Sequence, residues 1–298
     1  MRQVSCPVCH TAPTFSPAPH FLCDCPRCGI QWTFIPEDLQ WEELYRDEVY
    51  AVVDNRASIF EKIIFSEARK VLRKAYKLVP ERKKLLDFGS GKGQFLKVAK
   101  DLGWKGLGIE TEPERARFAQ ENYRVQVLTS FYSQGKIESG NFDLITLNHV
   151  LEHLPEPMSL LKELVQQNLA VDGILYLEVP RADSWQAKIG GANWMHWDIP
   201  KHLTHWNSKS LEKELQKIGV SPIAQRGFSV HLGILGMLQA LMSRLGFKEN
   251  LIFRLKREKT LGLILGIGLL LPFATGLEAL SVLFGKSGIL GIYGKKNG

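Results

Sequence analysis

Along the chain, the period of apolar and polar positions changes three times. Between Ala57 and Leu78 the apolar residues Ile59, Phe60, Ile63, Ile64, Val71, Leu72, Ala75 and Tyr76 fall near helical spacing with Lys and Arg between them. This predicts one amphipathic helix ended by Pro80. From Lys84 onward, short apolar runs alternate with helical stretches. Strands are predicted at Lys84 to Phe88, Gly106 to Glu110, Val125 to Leu128, Phe142 to Asn148 and Ile174 to Val179, and helices at Gln94 to Leu102, Pro113 to Tyr123, Met158 to Leu169 and Ser210 to Ile218. Regular alternation of this kind implies an α/β fold, a parallel sheet with helices on both faces and ligands at the carboxyl ends of its strands. Beyond Gly227 the chain is mostly apolar: one arm runs from His231 to Phe247, a second from Leu261 to Phe284, and Lys248, Arg254, Lys256, Arg257 and Lys259 make a basic connection between them.

Composition adds bounds. A chain of 298 residues with 45% apolar and 23% charged residues has room for one large folded domain and a small appendage, and is not the composition of a disordered protein. There is no internal repeat. The formal net charge of +7 suits either an anionic partner or a solvated basic surface. The first twenty residues hold two cysteines and four prolines and no apolar core of leader length, so a cytoplasmic location is expected.

All five cysteines lie between Cys6 and Cys28. Cys6-Pro7-Val8-Cys9 and Cys25-Pro26-Arg27-Cys28 are Cys-x2-Cys knuckles with 15 residues between them, the spacing of a zinc ribbon. Residues 1 to 35 are therefore expected to form a ribbon in which Cys6, Cys9, Cys25 and Cys28 hold one structural zinc ion. Cys23 either replaces Cys25 in that set or stays free. Zinc folds a segment too small to have a core of its own, and ribbons also dock nucleic acid or protein. A redox role is disfavoured, since there are two such pairs and no thioredoxin-like context.

The candidate cofactor site is a turn. The strand Leu85-Leu86-Asp87-Phe88 runs directly into Gly89-Ser90-Gly91-Lys92-Gly93, and a helix opens near Gln94. Glycines at alternate positions let the backbone turn tightly and approach a ligand, and the helix start presents N–H groups to a carboxylate or phosphate. Nicotinamide sites prefer Gly-x-Gly-x-x-Gly, whereas here the glycines stand at 89, 91 and 93 with an Asp two residues before the first. Glu110 ends the next strand, about 20 residues on, where a carboxylate accepts hydrogen bonds from ribose hydroxyls.

The Asp-x-Gly-x-Gly-x-Gly run resembles motif I of class I S-adenosylmethionine-dependent methyltransferases. The segment Asn141 to Leu154 is similar to the part after the fourth strand in the small-molecule methyltransferases that include the ubiquinone-biosynthesis enzymes. The resemblance implies a Rossmann-like seven-stranded sheet over residues 81 to 298 and S-adenosylmethionine as cofactor. Its cofactor-binding residues would be Asp87, Gly89, Ser90, Gly91, Gly93, Phe95, Glu110, Asn148 and His149. It also implies that ribbons of this kind precede such domains, joined by a linker like Trp41 to Tyr50 within residues 36 to 80. Ser287 to Lys296 resembles the seventh strand that closes the sheet, so 231 to 284 becomes an apolar helical hairpin inserted before it.

On the substrate side, His149, Glu152 and His153 have the i, i+3, i+4 spacing of one helical face. That spacing suits either a divalent ion or a structural hydrogen-bonding role. The run from Trp194 to Trp206 is dense in His and Trp and resembles the Pro-x-His-Leu stretch of the same family. His196, His202 and His205 are candidate general bases there, and the favoured catalytic residues are His202, then His153, with His205 after them. The alternative is that they pack and cap the pocket. The expected reaction is O-methylation of a small-molecule, saccharide or lipid-linked acceptor. A nucleic-acid methyltransferase is the weaker alternative, because the basic residues do not form a stripe interleaved with aromatics and no Asn-Pro-Pro-Tyr motif is present. A non-catalytic cofactor-fold protein is the third reading. The region 231 to 284 is either a contact to an anionic membrane on the inner face, a lid over the site, or a dimer interface.

Overall fold

The computed structural model describes residues 5–15, 22–34, 54–81, 83–130, 135–137 and 140–298. The expected linker Trp41 to Tyr50 lies outside them. In chain order the elements are β1 (Thr14–Phe15), β2 (Leu22–Asp24), β3 (Gln31–Thr33), α1 (Ile59–Leu78), β4 (Lys84–Phe88), α2 (Gln94–Asp101), β5 (Lys105–Glu110), α3 (Pro113–Phe118) and β6 (Gln126–Thr129). They continue with β7 (Phe142–Asn148), α4 (Pro157–Asn168), β8 (Leu169–Pro180), α5 (Trp185–Gly190), β9 (Thr204–His205), α6 (Ser208–Lys217), β10 (Val220–Arg226), α7 (Leu235–Arg244), α8 (Leu251–Arg257), α9 (Leu261–Leu283) and β11 (Ile289–Lys296).

The chain divides into two compact units, and neither is one continuous segment. One comprises Met1–Ala51, Pro180–Ser210 and Arg226–Leu290; the other comprises Val52–Val179, Leu211–Gln225 and Gly291–Gly298. The division differs from segmentation by sequence pattern: α1 belongs with the sheet, and the apolar region 231 to 284 belongs with the cysteine-rich start of the chain.

The sheet unit is built on the strand order β10-β11-β8-β7-β4-β5-β6. The pairings β4 with β5, β4 with β7, β5 with β6 and β7 with β8 are parallel. Leu85, Leu86, Asp87 and Phe88 of β4 are all buried, as expected of a strand covered on both faces. The chain runs outward from β4 through β5 to β6, then returns to β7 on the other side of β4. The order therefore reverses beside β4, and its carboxyl end is the switch point where such sheets bind ligands. Helix α1 starts on Ser58, whose Oγ accepts from the Glu61 N–H at 3.1 Å, while Glu61 Oε2 accepts from the Ala57 N–H at 2.7 Å. The arrangement is a variant of the capping box. It buries Ala68, Val71, Leu72 and Ala75.

Three elements depart from the sequence expectation. The strand expected at Ile174 begins at Leu169, with a register irregularity between Phe142 and Leu144 on the partner strand. The strand continues through Asp172 and Gly173 with Asp172 at φ 61°, as a bulge allows. The strand β10 carries no clear apolar alternation and contains Pro222. It lies at the sheet edge, where a missing N–H is tolerated. The expected helix Pro113 to Tyr123 changes at Ala119 into a π turn that ends at Tyr123.

In the other unit, β1, β2, β3 and β9 form a second sheet in that order, with β3 pairing antiparallel to β9 through Gln31 with His205 and Trp32 with Thr204. Both expected apolar arms are helical, the first as the π turn Val230–Ile234 with α7 and the second as α9, and the basic connection between them adds a third helix, α8. Met237, Leu238 and Met242 of α7, Leu251 of α8, and Leu263 and Ala274 of α9 make their shared core.

Candidate active site

The glycine turn projects from the carboxyl end of β4. The Gly89 and Ser90 N–H groups donate to the Ile109 carbonyl at 2.9 and 3.0 Å, which clamps the turn to β5. Gly89, Gly91 and Gly93 all have positive φ, at 73°, 54° and 76°. Their reasons differ. A Cβ on Gly89 would lie 2.5 Å from Val150 Cγ2, and one on Gly93 would lie 2.6 Å from the Ala119 Cβ, whereas one on Gly91 would meet nothing within 4 Å. Gly89 and Gly93 are thus demanded by packing, and Gly91 keeps open the space above the turn.

Two carboxylates stand on neighbouring strands beside this space. Asp87 is 2% exposed. Burial drives its carboxyl up to about 7, against the opposing hydrogen bonds from Thr146 Oγ1 at 2.7 Å and Asn148 Nδ2 at 3.4 Å, while the nearby Glu110 charge adds to the rise. Glu110 accepts from the Gly91 N–H at 2.7 Å through Oε2 and from the Glu112 N–H at 2.9 Å through Oε1. Buried Ser90 Oγ and Gln94 Nε2 have no hydrogen-bond partner among the described residues. Orphaned polar atoms of this kind are rare in a folded protein and call for a ligand or water. Phe95 is only partly buried and packs against the sheet core.

Beyond the turn, β7 ends at Asn148, and His149 follows at φ 54° with its N–H donating to the Glu178 carbonyl at 2.8 Å. Its ring lies between two carboxylates, Nδ1 at 3.3 Å from Glu152 Oε1 and Nε2 at 3.3 Å from Glu178 Oε1. Burial would push the imidazole down, but the hydrogen bonds and charges of Glu152 and Glu178 outweigh it and raise it to about 10. The two carboxylates therefore favour the protonated ring, which donates from both nitrogens. Tyr176 extends the chain by donating to Glu178 Oε2. Thr146, Glu178 and Tyr176 escaped the sequence reading: each is a polar residue flanked by apolar ones within its strand, and only the register places Thr146 opposite Asp87.

The other candidate histidines differ in what they touch. His153 ends the short 3-10 turn Leu151–His153 in the sheet unit. In the other unit, Nδ1 of buried His202 lies 2.8 Å from the His196 carbonyl. A carbonyl only accepts, so the proton of the neutral ring is on Nδ1 and Nε2 is the acceptor atom. His205 is bound into the small sheet. Thr33 donates its hydroxyl to the His202 carbonyl at 2.6 Å and lies 2.9 Å from His205 Nε2, which makes that nitrogen the donor. His205 also packs its ring against the Trp197 indole, with centroids 4.9 Å apart.

The structure brings the sulfurs of Cys6, Cys9, Cys25 and Cys28 within 4.8 Å of one another. Cys6 and Cys28 are 3.5 Å apart, and Cys9 and Cys25 are 3.3 Å apart, too far for disulfides. Cys23 is a buried strand residue in register with Trp32 and Phe15, outside this group.

Comparison with known proteins agrees with this geometry. The methyltransferase domain family matches residues 60–225. Two curated relatives are both named ubiquinone biosynthesis O-methyltransferase. The one from Haemophilus ducreyi is 25% identical over 170 residues, which is 48% of this chain and 72% of that protein. The one from Xanthomonas campestris is 25% identical over 143 residues, 44% of this chain and 58% of its own length. The solved structure of the Burkholderia thailandensis 1,6-didemethyltoxoflavin-N1-methyltransferase, with S-adenosylhomocysteine bound, shares the fold at a TM-score of 0.50 and 14% identity, over 96% of this chain and 99% of that one. The chain belongs to the methyltransferase domain family. It is an enzyme of the S-adenosylmethionine-dependent class, built on the Rossmann-like methyltransferase sheet.

Proposed function

We propose that this enzyme transfers the methyl group of S-adenosylmethionine to a hydroxyl oxygen of a small-molecule, saccharide or lipid-linked acceptor. The observation that carries the cofactor assignment is the pair of buried carboxylates Asp87 and Glu110 flanking a turn whose Ser90 and Gln94 side chains present unpartnered polar atoms. Asp87 would hold the cationic amino group, the unpartnered Ser90 and Gln94 side chains the carboxylate, and Glu110 the ribose hydroxyls. The cofactor supplies an electrophilic methyl on sulfur, and the protein supplies alignment and exclusion of water. Oxygen as the acceptor atom is supported by the names of the relatives. A hydroxyl acceptor must lose a proton, and His202 has the tautomer a neutral base requires. His153 is the second candidate.

At a concentration about 100 times its Kd, S-adenosylmethionine is expected to stabilise the protein by about 2.7 kcal/mol, read as a rise of several degrees in Tm. No rise at saturation would overturn the cofactor assignment. Transfer of labelled methyl to phenolic or saccharide hydroxyls, with amines and nucleic acid as controls, tests the acceptor. Label found only on nitrogen would reject O-methylation.

We further propose that the four clustered cysteines hold one structural zinc ion. Four soft donors at such separations fit a closed tetrahedral site. Purified protein is expected to carry one zinc per chain, and Cys25→Ser to lose it together with folding of the small sheet. Metal content below one tenth of the chain concentration in well-folded protein would reject the site.

A further inference from the structure

We infer that α9 embeds its outer face in an anionic lipid bilayer, lying along the membrane surface. The helix has 23 residues and a mean hydropathy of 1.9, with only 17% of its most apolar stretch buried. At 1.5 Å per residue it is about 34 Å long. Leu261, Leu265, Leu269, Phe273, Leu280 and Leu283 follow one another along its outer face, and Leu269 and Phe273 are 69% and 64% exposed. An uncharged apolar face of this length exceeds what soluble monomers ordinarily leave in water.

The opposite face shows why the helix lies on the bilayer. Leu263, Ala274, Glu278 and Ser281 are buried. Glu278, the only charged residue of α9, is fully buried, accepting from Gln186 Nε2 at 2.8 Å and from the Gly288 N–H at 2.9 Å. Both halves of the helix are therefore anchored to their own folded unit, at Leu263 near the start and at Glu278 near the end. Hydrocarbon can cover the outer face only.

In a lipid environment polar groups are satisfied within the protein, and Pro272 leaves the Gly268 carbonyl without its helical donor, which suits α9 to the hydrated interface and not to the bilayer core. Thr275, an exposed polar side chain on the helix, donates its hydroxyl to the Leu271 carbonyl at 2.8 Å. The flanking charge selects the partner. From Arg244 to Thr260 there are six basic residues against two acidic ones, with Lys248, Arg257 and Lys259 exposed. Exposed cations in the segment that leads into an apolar helix complement anionic headgroups. A second copy of this chain, paired symmetrically on the same face, would set like charges against each other.

The test uses the full chain, sedimented with vesicles of phosphatidylcholine alone or mixed in equal parts with phosphatidylglycerol. The double variant Leu269→Asp/Phe273→Asp changes only exposed positions, and its cofactor-induced rise in Tm reports that the fold is intact. We expect the bound fraction of wild type to rise about tenfold on the anionic vesicles, to fall with salt, and to drop to background in the double variant. Wild type that stays in the supernatant, or that sediments equally with the variant, would overturn the inference. So would a wild-type dimer that the variant converts to monomer without any change in vesicle binding. The cofactor-induced shift is read on the same samples, so failure of the membrane inference is separable from failure of the cofactor assignment.

Discussion

Replacing Asp87 by alanine is expected to weaken S-adenosylmethionine binding by about two orders of magnitude or more. Removing one partner of a buried charged pair costs about 2 to 5 kcal/mol, and each 1.4 kcal/mol is about tenfold in Kd. Asp87→Asn, which preserves volume and an acceptor for Thr146 Oγ1, isolates the charge. The same residue predicts a pH dependence. Its carboxyl is raised to about 7 by burial, so the cofactor-free fold favours the protonated form. Its contribution to stability is fully present below the ordinary carboxyl range and is lost as pH rises from there to about 7. Binding a cation has the opposite sign, because it requires the carboxylate. Affinity should rise about tenfold per pH unit below 7 and level off above it, while the Asn variant shows a flat profile. Calorimetric titration between pH 5 and pH 8 reads both, and a wild-type affinity independent of pH would reject the role given to Asp87.

Gly93→Ala is expected to cost about 3 kcal/mol of folding stability. A left-handed backbone at φ 76° costs an L-residue about 1 to 2 kcal/mol. The added methyl would stand 2.6 Å from the Ala119 Cβ and 3.3 Å from its Cα, and overpacking of that kind adds about 1 to 3 kcal/mol. The nearest atom is an alanine Cβ, fixed to its backbone with no side-chain torsion, so it cannot rotate away. Gly91→Ala is the matched comparison. It has the same left-handed requirement and an empty surrounding, so stability should fall by only about 1 kcal/mol while cofactor affinity falls steeply. Urea midpoints with unchanged m-values measure the first effect and titration the second. Equal stability loss in the two variants would remove the distinction between a packing glycine and a ligand-facing one.

Much of the sheet was legible because a strand buried on both faces must be a short apolar run. Lys84 to Phe88 and Phe142 to Asn148 have the same bounds in sequence and structure. The turn from Gly89 to Gly93 was legible because positive φ requires glycine, and Glu110 because it closes the next apolar run. What the local pattern could not show was pairing. β10 carries its strand character through edge position and not through alternation. Thr146 meets Asp87 only through the register of β7 on β4. His149 looks from its spacing like a metal ligand or a helix-face residue, yet the fold sets it between Glu152 and Glu178 from two different segments. That favours its protonated form, an electrostatic outcome that depends on distance in space.

The two glycine variants and the outer face of α9 show the same division. By itself, the sequence determined the methyltransferase class, the parallel sheet, the glycine turn and the pairing of two Cys-x2-Cys knuckles, because backbone conformation, burial and ligand spacing are local demands on residue type. Only the tertiary structure decided that the cysteine-rich start and the apolar region 231 to 284 belong to one unit, that the basic connection is a helix, and that Glu278 is anchored while the opposite face of its helix is bare. Those outcomes depend on which surfaces cover one another, and burial is a property of neighbours distant in sequence.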